Sequence, residues 1–200
     1  MNTPSASSVA AAPVWRPALV LAGVALLGFG LLYSLAGAGL GSLLFPHQAG
    51  GSLIERDGKV IGSSLVAQPF TDDRYFQSRP SAAKYDVMAL AGSNQARTNP
   101  DLRARLDEAR TAIATREGVA PDAVPSDLVT QSGGGIDPHL SPAAIQLQVA
   151  RVARVRGLSV SEVERLVAEH TEAPQFGLLG AARVNVLELN LALDGVRKPE

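Results

Sequence analysis

The stretch PALVLAGVALLGFGLLYSLAGAGLGSLL, residues 17–44, contains 28 residues and no charged side chain. A helix of this length reaches roughly 42 Å at about 1.5 Å per residue, whereas the hydrocarbon core of a bilayer requires only about 20 residues. We therefore predict a transmembrane helix over residues 15–44. Pro17 is tolerated in its first turn, and Trp15 is placed to anchor the helix at the membrane interface.

A cleaved signal peptide is the alternative, because AGA at 36–38 has the small-x-small form of a cleavage site. The apolar run is roughly twice the usual 7–15 residues of a signal-peptide core, and the positive charge before it amounts to Arg16 and the amino terminus. A retained anchor is therefore favoured. Counting charges leaves its orientation open, since Arg16 precedes the span while Arg56 and Lys59 follow it.

Small side chains recur along this segment at a spacing of four, at Gly30, Ser34, Ala38 and Ser42. Such a row allows a second helix to approach closely. Gly and Ala are also common in membrane helices in general, so both interpretations stay open. If the row is used, the protein is a subunit of a larger assembly.

The rest of the chain has the composition of an ordinary, weakly acidic domain. Of the 37 charged residues, 36 lie in residues 55–200, where 17 are basic and 19 acidic. This balance provides no basic surface for a phosphate backbone, so we expect no nucleic-acid partner. The chain has no Cys, which excludes a disulfide framework, a thiol nucleophile and a thiolate metal site. Residues 45–200 suffice for one domain, and residues 1–14 are predicted to form a disordered tail.

Local signals predict that this domain is α+β, with one small sheet or hairpin and about four helices. Asp57-Gly58 between two short apolar runs predicts a type I′ hairpin, whose strands we expect to continue through Leu65 and Val66. In the segment RVNVLELNLALDG, residues 183–195, alternating apolar residues are typical of a strand, but the spacing of Asn185 and Glu188 is that of a helix cap and favours a helix. Three further helix starts are marked by capping residues, at Asn99, Ser141 and Ser159.

Residues 68–100 show little periodicity and many turn formers. Their aromatic residues, at positions 70, 75, 76 and 85, are interleaved with Arg74 and Arg79, a pattern that would suit a ligand groove. We favour the simpler interpretation, in which Phe70 and Phe76 fill the core beneath an irregular segment.

The segment QSGGGIDPHLS, residues 131–141, holds Ser132, Asp137 and His139 within eight residues. A catalytic triad is disfavoured, because the G-x-S-x-G elbow is missing and triad members normally come from distant parts of a chain. We therefore expect the glycines to form a sharp connection, with Asp137 accepting from local backbone N–H groups. A membrane-anchored extracytoplasmic hydrolase using Ser132 is kept as the alternative function.

No Lys follows these glycines, so the segment is not a Walker A loop. Exposed N–H groups in a glycine turn can still form an anion nest, for which the candidates are Ser132, Gly133, Gly134 and Gly135. The three His residues stand without metal-ligand spacing, and we expect no metal site.

Four motifs follow one another along the chain: FPHQAGGSLI at 45–54, YFQSRPSA at 75–82, SGGGIDPH at 132–139 and RVNVLELN at 183–190. Together they resemble the KdpC family, the C subunits of the bacterial Kdp potassium-transporting P-type ATPases. The resemblance runs from about residue 15 to residue 194. It implies a single N-terminal span in the bacterial inner membrane, with the N-terminus cytoplasmic and the domain extracytoplasmic.

The resemblance also implies a non-catalytic accessory subunit. Its partners would be a channel-like potassium-translocating subunit, a P-type ATPase subunit and a small membrane peptide. The family is described as stabilising the complex and as a catalytic chaperone that raises the ATP affinity of the ATPase subunit. ATP and K⁺ would be handled by the complex, with no cofactor bound covalently to this chain. Because Gln131 precedes the glycines here, we expect no nucleotide contact from them.

We expect the domain to cap the extracellular entrance of the potassium-translocating subunit, docking through the motif-rich segments 45–54 and 132–139. A solute-binding module is a third possibility, distinguishable by ligand-induced thermal stabilisation. The partner-contact candidates in the span and the domain are Gly30, Ser34, Ala38, Ser42, Phe45, Pro46, Gln48, Arg79, Asp137 and His139.

Overall fold

The computed structural model describes residues 14–196, which divide into two compact units with the boundary between Gly51 and Ser52. The first unit is dominated by one continuous helix, α1, Trp15–Leu44, whose central part, Ala25–Tyr33, is wound as a π-helix. A short helix, α2, Pro46–Ala49, follows it. Apart from Val14, the predicted disordered tail, residues 1–14, lies outside the described residues.

Helix α1 is long and apolar enough to cross a membrane, with a mean hydropathy of 2.2 over an 18-residue window of which none is buried within the protein. Its large apolar side chains, such as Leu27 and Phe29, are exposed. Leaving so much apolar surface in water would be strongly unfavourable, whereas the hydrocarbon core of a bilayer solvates it.

The second unit begins with an antiparallel hairpin of β1, Leu53–Arg56, and β2, Lys59–Ser63. Asp57 and Gly58 have φ values of 54° and 71°, as the predicted type I′ turn requires, so the hairpin is confirmed.

The expectation that the strands continue through Leu65 and Val66 is wrong. Strand β2 ends at Ser63, whose side-chain hydroxyl accepts a hydrogen bond from the N–H of Leu65 at 3.1 Å. A serine side chain that bonds the backbone two residues ahead favours a turn over a continuing strand.

Four helices of ten residues or more build most of the second unit, as predicted. They are α3, Pro100–Glu117; α5, Pro142–Arg156; α6, Val160–Glu169; and α7, Val186–Gly195, with a short α4, Ser126–Val129, after α3. The predicted caps are present: Asn99 and Ser141 accept backbone N–H groups of the first turns of α3 and α5, and Ser159 forms a capping box with Glu162.

A second sheet was not predicted. It is antiparallel in the order β3, His139–Leu140; β5, Arg183–Asn185; and β4, Thr171–Glu172. Strands of two or three residues are too short to show alternation in a sequence. The segment 183–195, for which a strand and a helix were both considered and the helix was favoured, contains both, because strand β5 passes directly into helix α7. The side chain of Asn185 caps that helix by accepting from the N–H groups of Leu187 and Glu188.

The core lies where α5, α6, α7 and β5 meet, and includes Ile145, Val163, Val184 and Leu189. Phe76, from the irregular segment between β2 and α3, is completely buried in it, and Phe70 packs against its edge. The preferred interpretation of these two aromatic residues is therefore confirmed.

Candidate functional site

The glycine loop, residues 131–138, lies against the segment 79–92 with almost no side chains between them. Gly135 has φ 82°, and a Cβ there would meet the Cβ of Ala83 at 2.8 Å and the carbonyl oxygen of Ala91 at 2.9 Å. A Cβ on Gly92 would meet the carbonyl oxygen of Gly133 at 2.7 Å. Both contacts require glycine, because a side chain of any size would push the two backbones apart.

Hydrogen bonds fasten the two segments together. The Ser81 hydroxyl donates to the carbonyl of Gly135 at 2.5 Å, and the N–H of Ser132 donates to the carbonyl of Pro80 at 3.3 Å. The guanidinium of Arg79 donates to Asp137 at 2.9 Å. The connection is thus sharp and held by its surroundings, as the glycine pattern predicts.

Asp137 is the electrostatic centre of the glycine loop. One carboxylate oxygen accepts from the backbone N–H of His139 at 3.1 Å and lies 3.4 Å from Nδ1 of its ring, and the other pairs with Arg79. The His139 side chain, followed by its backbone N–H and by Arg79, lowers the pKa of Asp137 from its ordinary value of 3.8 to about 2, against the opposing effect of burial. Asp137 is therefore ionised at neutral pH and acts as an acceptor that fixes the loop.

Ser132 is not arranged as a nucleophile. The residue is 2% exposed, and its hydroxyl accepts the N–H of Asp137 at 3.5 Å. Within residues 14–196, the His139 ring contacts Asp137 and no hydrogen bond joins it to Ser132. An activated serine needs its base within about 2.6–3.2 Å. The structure therefore does not support the hydrolase alternative.

The anion-nest candidates lie on two sides of the glycine loop. Ser132 and Gly135 face inward and are buried, and the N–H of Ser132 is already bonded to Pro80. Gly133 and Gly134 lie on the exposed face. Among residues 14–196, no group of three His, Asp or Glu side chains is arranged to hold a metal ion.

Buried amide side chains hold the 75–82 motif in place, and sequence reasoning missed them. Asn190 accepts from the N–H of Phe76 and donates to its carbonyl, both at 2.9 Å. Gln148 does the same for Gln77, at 2.8 Å and 3.2 Å. The two side chains thereby pair backbone groups of a segment that forms no strand within residues 14–196.

Arg151 completes this network. Its guanidinium donates to the carbonyls of Asp73 and Tyr75 and to both carboxylate oxygens of Glu117 at 3.1 Å. The Glu117 side chain is fully buried, so the pair is stabilised by several hydrogen bonds at once.

A sequence signal for these residues does exist. Gln148 lies on the same helical stripe as Ile145, Val149 and Val152, and a polar side chain on an apolar stripe indicates a buried group that needs a partner.

Three of the four motifs therefore meet in one place. Arg79 joins the 75–82 motif to Asp137 of the glycine loop, Asn190 joins it to the 183–190 motif, and the N–H of Val186 donates to the carbonyl of Pro138 at 3.0 Å. His139 pairs with Asn185 in the sheet β3–β5.

The remaining partner-contact candidates lie in the first unit. Phe45, Pro46 and Gln48 are exposed at the end of α1 and in α2. The small residues of the row on α1, namely Gly30, Ser34, Ala38 and Ser42, are exposed as well. Their contact with a partner helix stays a prediction.

A cleft of about 290 Å³ lies beside the 75–82 motif, lined by Phe70, Pro80 and Tyr85 on one side and by Ile113 and Arg116 of α3 on another. The two arginines of the suggested ligand groove do not line it. Arg74 pairs with Asp72 at 2.8 Å, and Arg79 points to Asp137.

The chain thus combines one helix that is long and apolar enough to span a membrane with an α+β domain whose motif side chains fix one another. The family model described as KdpC, the K⁺-transporting ATPase c chain, matches residues 15–195. The chain belongs to the KdpC family, and the resemblance seen in its motifs is confirmed.

Close relatives agree with this assignment. The potassium-transporting ATPase KdpC subunit of Xanthomonas oryzae pv. oryzae is 62% identical over 179 residues, covering 90% of this chain and 86% of the relative. The KdpC subunit of Xanthomonas campestris pv. campestris (strain B100) is 63% identical with the same coverage. That of Methylococcus capsulatus is 53% identical over 186 residues, covering 92% of this chain and 98% of the relative.

Proposed function

We propose that this chain is the accessory subunit of a potassium-transporting P-type ATPase complex, in which it stabilises assembly and raises the ATP affinity of the ATPase subunit. Membership of the KdpC family supports this role. The partners are a channel-like potassium-translocating subunit, the P-type ATPase subunit and a small membrane peptide. ATP and K⁺ are bound by the complex, and this chain carries no covalently bound cofactor.

In this proposal α1 is a retained anchor in the bacterial inner membrane, with the N-terminus in the cytoplasm and the domain outside. The unbroken 30-residue length of α1, together with the lack of any buried residue in it, supports a span. A signal-peptide core would be about half as long.

The glycine loop carries the docking part of the proposal. Its tip, Gly133 and Gly134, is exposed and has no side chains, and the residues that follow it are fixed by hydrogen bonds from Ser81 to Gly135 and from Arg79 to Asp137. A backbone without side chains allows a partner surface to approach closely, and a loop fixed beside its tip loses less entropy on binding than a free loop would. The adjoining segment exposes three large apolar side chains, Val87, Met88 and Leu90. We propose that this surface caps the extracellular entrance of the potassium-translocating subunit.

The effect on ATP must be indirect, because a domain outside the membrane cannot touch ATP bound in the cytoplasm. It is a coupling free energy, typically about 1–3 kcal/mol, transmitted through α1 or through the partner subunits. The row of small residues on α1 is the proposed contact for that transmission.

A single substitution at the tip tests this function. A Cβ on Gly134 meets no atom within 4 Å, so Gly134→Arg should fold while obstructing docking. The matched control is Ala168→Arg on the exposed face of α6. In the purified complex we expect Gly134→Arg to weaken co-purification of the ATPase subunit and to raise KM for ATP, and the control to change neither.

The two parts of the proposal can fail separately. Full assembly and an unchanged KM in Gly134→Arg would contradict docking through the glycine loop. A wild-type chain that retrieves no P-type ATPase from solubilised membranes would contradict the accessory role itself.

A further inference from the structure

A small turn between β4 and β5 projects large apolar side chains into solvent. In this turn, residues 174–180, Phe176 is 84% exposed and Leu178 87% exposed. Leu179 beside them is exposed as well. We call it the Phe176 turn. Three large apolar residues within four positions form a concentrated patch rather than the scattered exposure that is usual on protein surfaces.

The Phe176 turn is a built structure and not a loose loop. Gln175 and Leu179 exchange two backbone hydrogen bonds, at 2.8 Å and 2.9 Å, and the N–H of Gly177 donates to the carbonyl of Pro174 at 2.9 Å. Phe176 has φ 56°, in the left-handed region that large side chains rarely adopt. The fold therefore accepts backbone strain at a residue whose aromatic side chain is exposed.

The charges around the turn argue against a lipid surface as its binding partner. No charged residue lies between Glu172 and Arg183 in the sequence, and these two pair with each other at 2.6 Å. Loops that bind bilayers usually combine apolar residues with basic residues that meet anionic headgroups. An uncharged, rigid apolar projection is complementary to an uncharged apolar pocket, which a protein surface supplies.

We infer that the Phe176 turn docks into an apolar pocket on the extracytoplasmic surface of a partner subunit, with Phe176 and Leu178 as its anchors. The inference rests on the proposed function, because that function supplies the partner. It adds a second contact, on a segment outside the four motif cores that led to the glycine loop. Apolar anchors seated in pockets dominate the binding energy of most protein interfaces.

The test uses Phe176→Asn and Leu178→Asn in the full-length tagged chain. Asn tolerates the left-handed region, so Phe176→Asn removes the anchor and keeps the turn. The matched control is Leu65→Asn, a similar change at an exposed loop residue. In a dilution series of the detergent-solubilised complex, we expect both turn variants to dissociate at a concentration at least about tenfold higher than wild type, and the control to stay within about twofold. Melting temperatures of the isolated variants should match wild type.

Four other outcomes would contradict the inference. Equal retention of the turn variants, with wild type still retrieving its partners, leaves the proposed function intact and removes only this contact. A loss seen in lipid nanodiscs and absent in detergent identifies the bilayer as the binding surface. A change in self-association of the chain on its own identifies a second copy. If wild type retrieves no partner, the proposed function fails and this inference fails with it.

Discussion

Gln148 and Asn190 show how single buried side chains position the motif cluster. Each pairs both backbone groups of one residue of the 75–82 motif, Phe76 or Gln77, and neither residue belongs to a strand of the two described sheets. An unpaired backbone group in this interior would cost about 1–3 kcal/mol. The side chains on α5 and α7 therefore decide where the 75–82 motif lies.

We predict that Gln148→Leu lowers the free energy of unfolding by about 3 kcal/mol, because it leaves the N–H and carbonyl of Gln77 without their partner. Gln146→Leu, two residues away on the exposed face of α5, should change it by less than about 0.5 kcal/mol. Denaturant unfolding of the three proteins measures both values. Equal effects at the two positions would contradict the network.

Asp137 predicts a specific pH dependence. Its pKa falls from 3.8 to about 2 on folding, so its stabilising contribution is complete above about pH 5 and is lost as the pH falls towards 2. After allowing for the partial exposure of this carboxylate, we expect it to contribute about 1 kcal/mol to the free energy of unfolding. The difference in unfolding free energy between wild type and Asp137→Asn should therefore shrink between pH 5 and pH 2, in thermal unfolding. Asp122→Asn, at an exposed carboxyl, is the control, and a difference that stays constant with pH would contradict the assignment.

The residues of the site were predictable where the signal is local. The role of Asp137 as an acceptor for nearby N–H groups, and the caps at Ser141 and Asn185, follow from the chemistry of neighbouring residues. The partnership of Arg79 with Asp137, 58 positions apart, depends on the tertiary fold. No spacing within the sequence indicates it.

At the scale of elements, the glycine loop and the segment 79–92 act as one unit because two glycines permit backbone contact. We predict that Gly135→Ala lowers the free energy of unfolding by about 2 kcal/mol or more, from its positive φ and its clash with Ala83 and Ala91. Gly134→Ala, in open space one residue earlier, should lie within about 0.5 kcal/mol of wild type. Calorimetry of both variants decides the matter, and a Gly135→Ala protein as stable as wild type would refute the packing.

The four longer helices of the domain and the β1–β2 hairpin were predicted from the sequence, whereas the second sheet was not, for a physical reason. A helix such as α5 is indicated by an N-capping residue, by apolar residues at helical spacing and by a terminal glycine, all within one continuous segment. Strands β3 and β4 have two residues each, and their pairing with β5 joins parts of the chain far apart in sequence. The irregular segment between β2 and α3 takes its shape from side chains on other elements, so its own residues carry little indication of it.

At the scale of the whole molecule, the uneven distribution of charge is the clearest sequence signal. One charged residue lies in residues 1–54 and the other 36 lie in residues 55–200, and the structure accordingly has a separate apolar helix and a folded domain. Neither part contains residues arranged for a reaction of their own among residues 14–196, so the function was inferred from the family resemblance. Most motif residues form hydrogen bonds that stabilise the domain. Contact with another subunit would therefore involve the exposed surfaces.

The proposed effect on ATP affinity has a reciprocal consequence. If this chain raises the affinity of the ATPase subunit for ATP, then ATP must tighten the binding of this chain by the same factor, about 5- to 150-fold. We expect a non-hydrolysable ATP analogue to lower the concentration at which the tagged chain dissociates from the solubilised complex. Adenosine is the control ligand. Identical dissociation with and without the analogue would contradict the chaperone role.

The accessory role is tested most directly by purifying the tagged chain from detergent-solubilised membranes and measuring ATP hydrolysis in the eluate with and without K⁺. We predict that a P-type ATPase subunit co-purifies and that K⁺ stimulates hydrolysis. We also predict that separating this chain from the eluate raises KM for ATP. An eluate that contains this chain alone and hydrolyses no ATP would contradict the account.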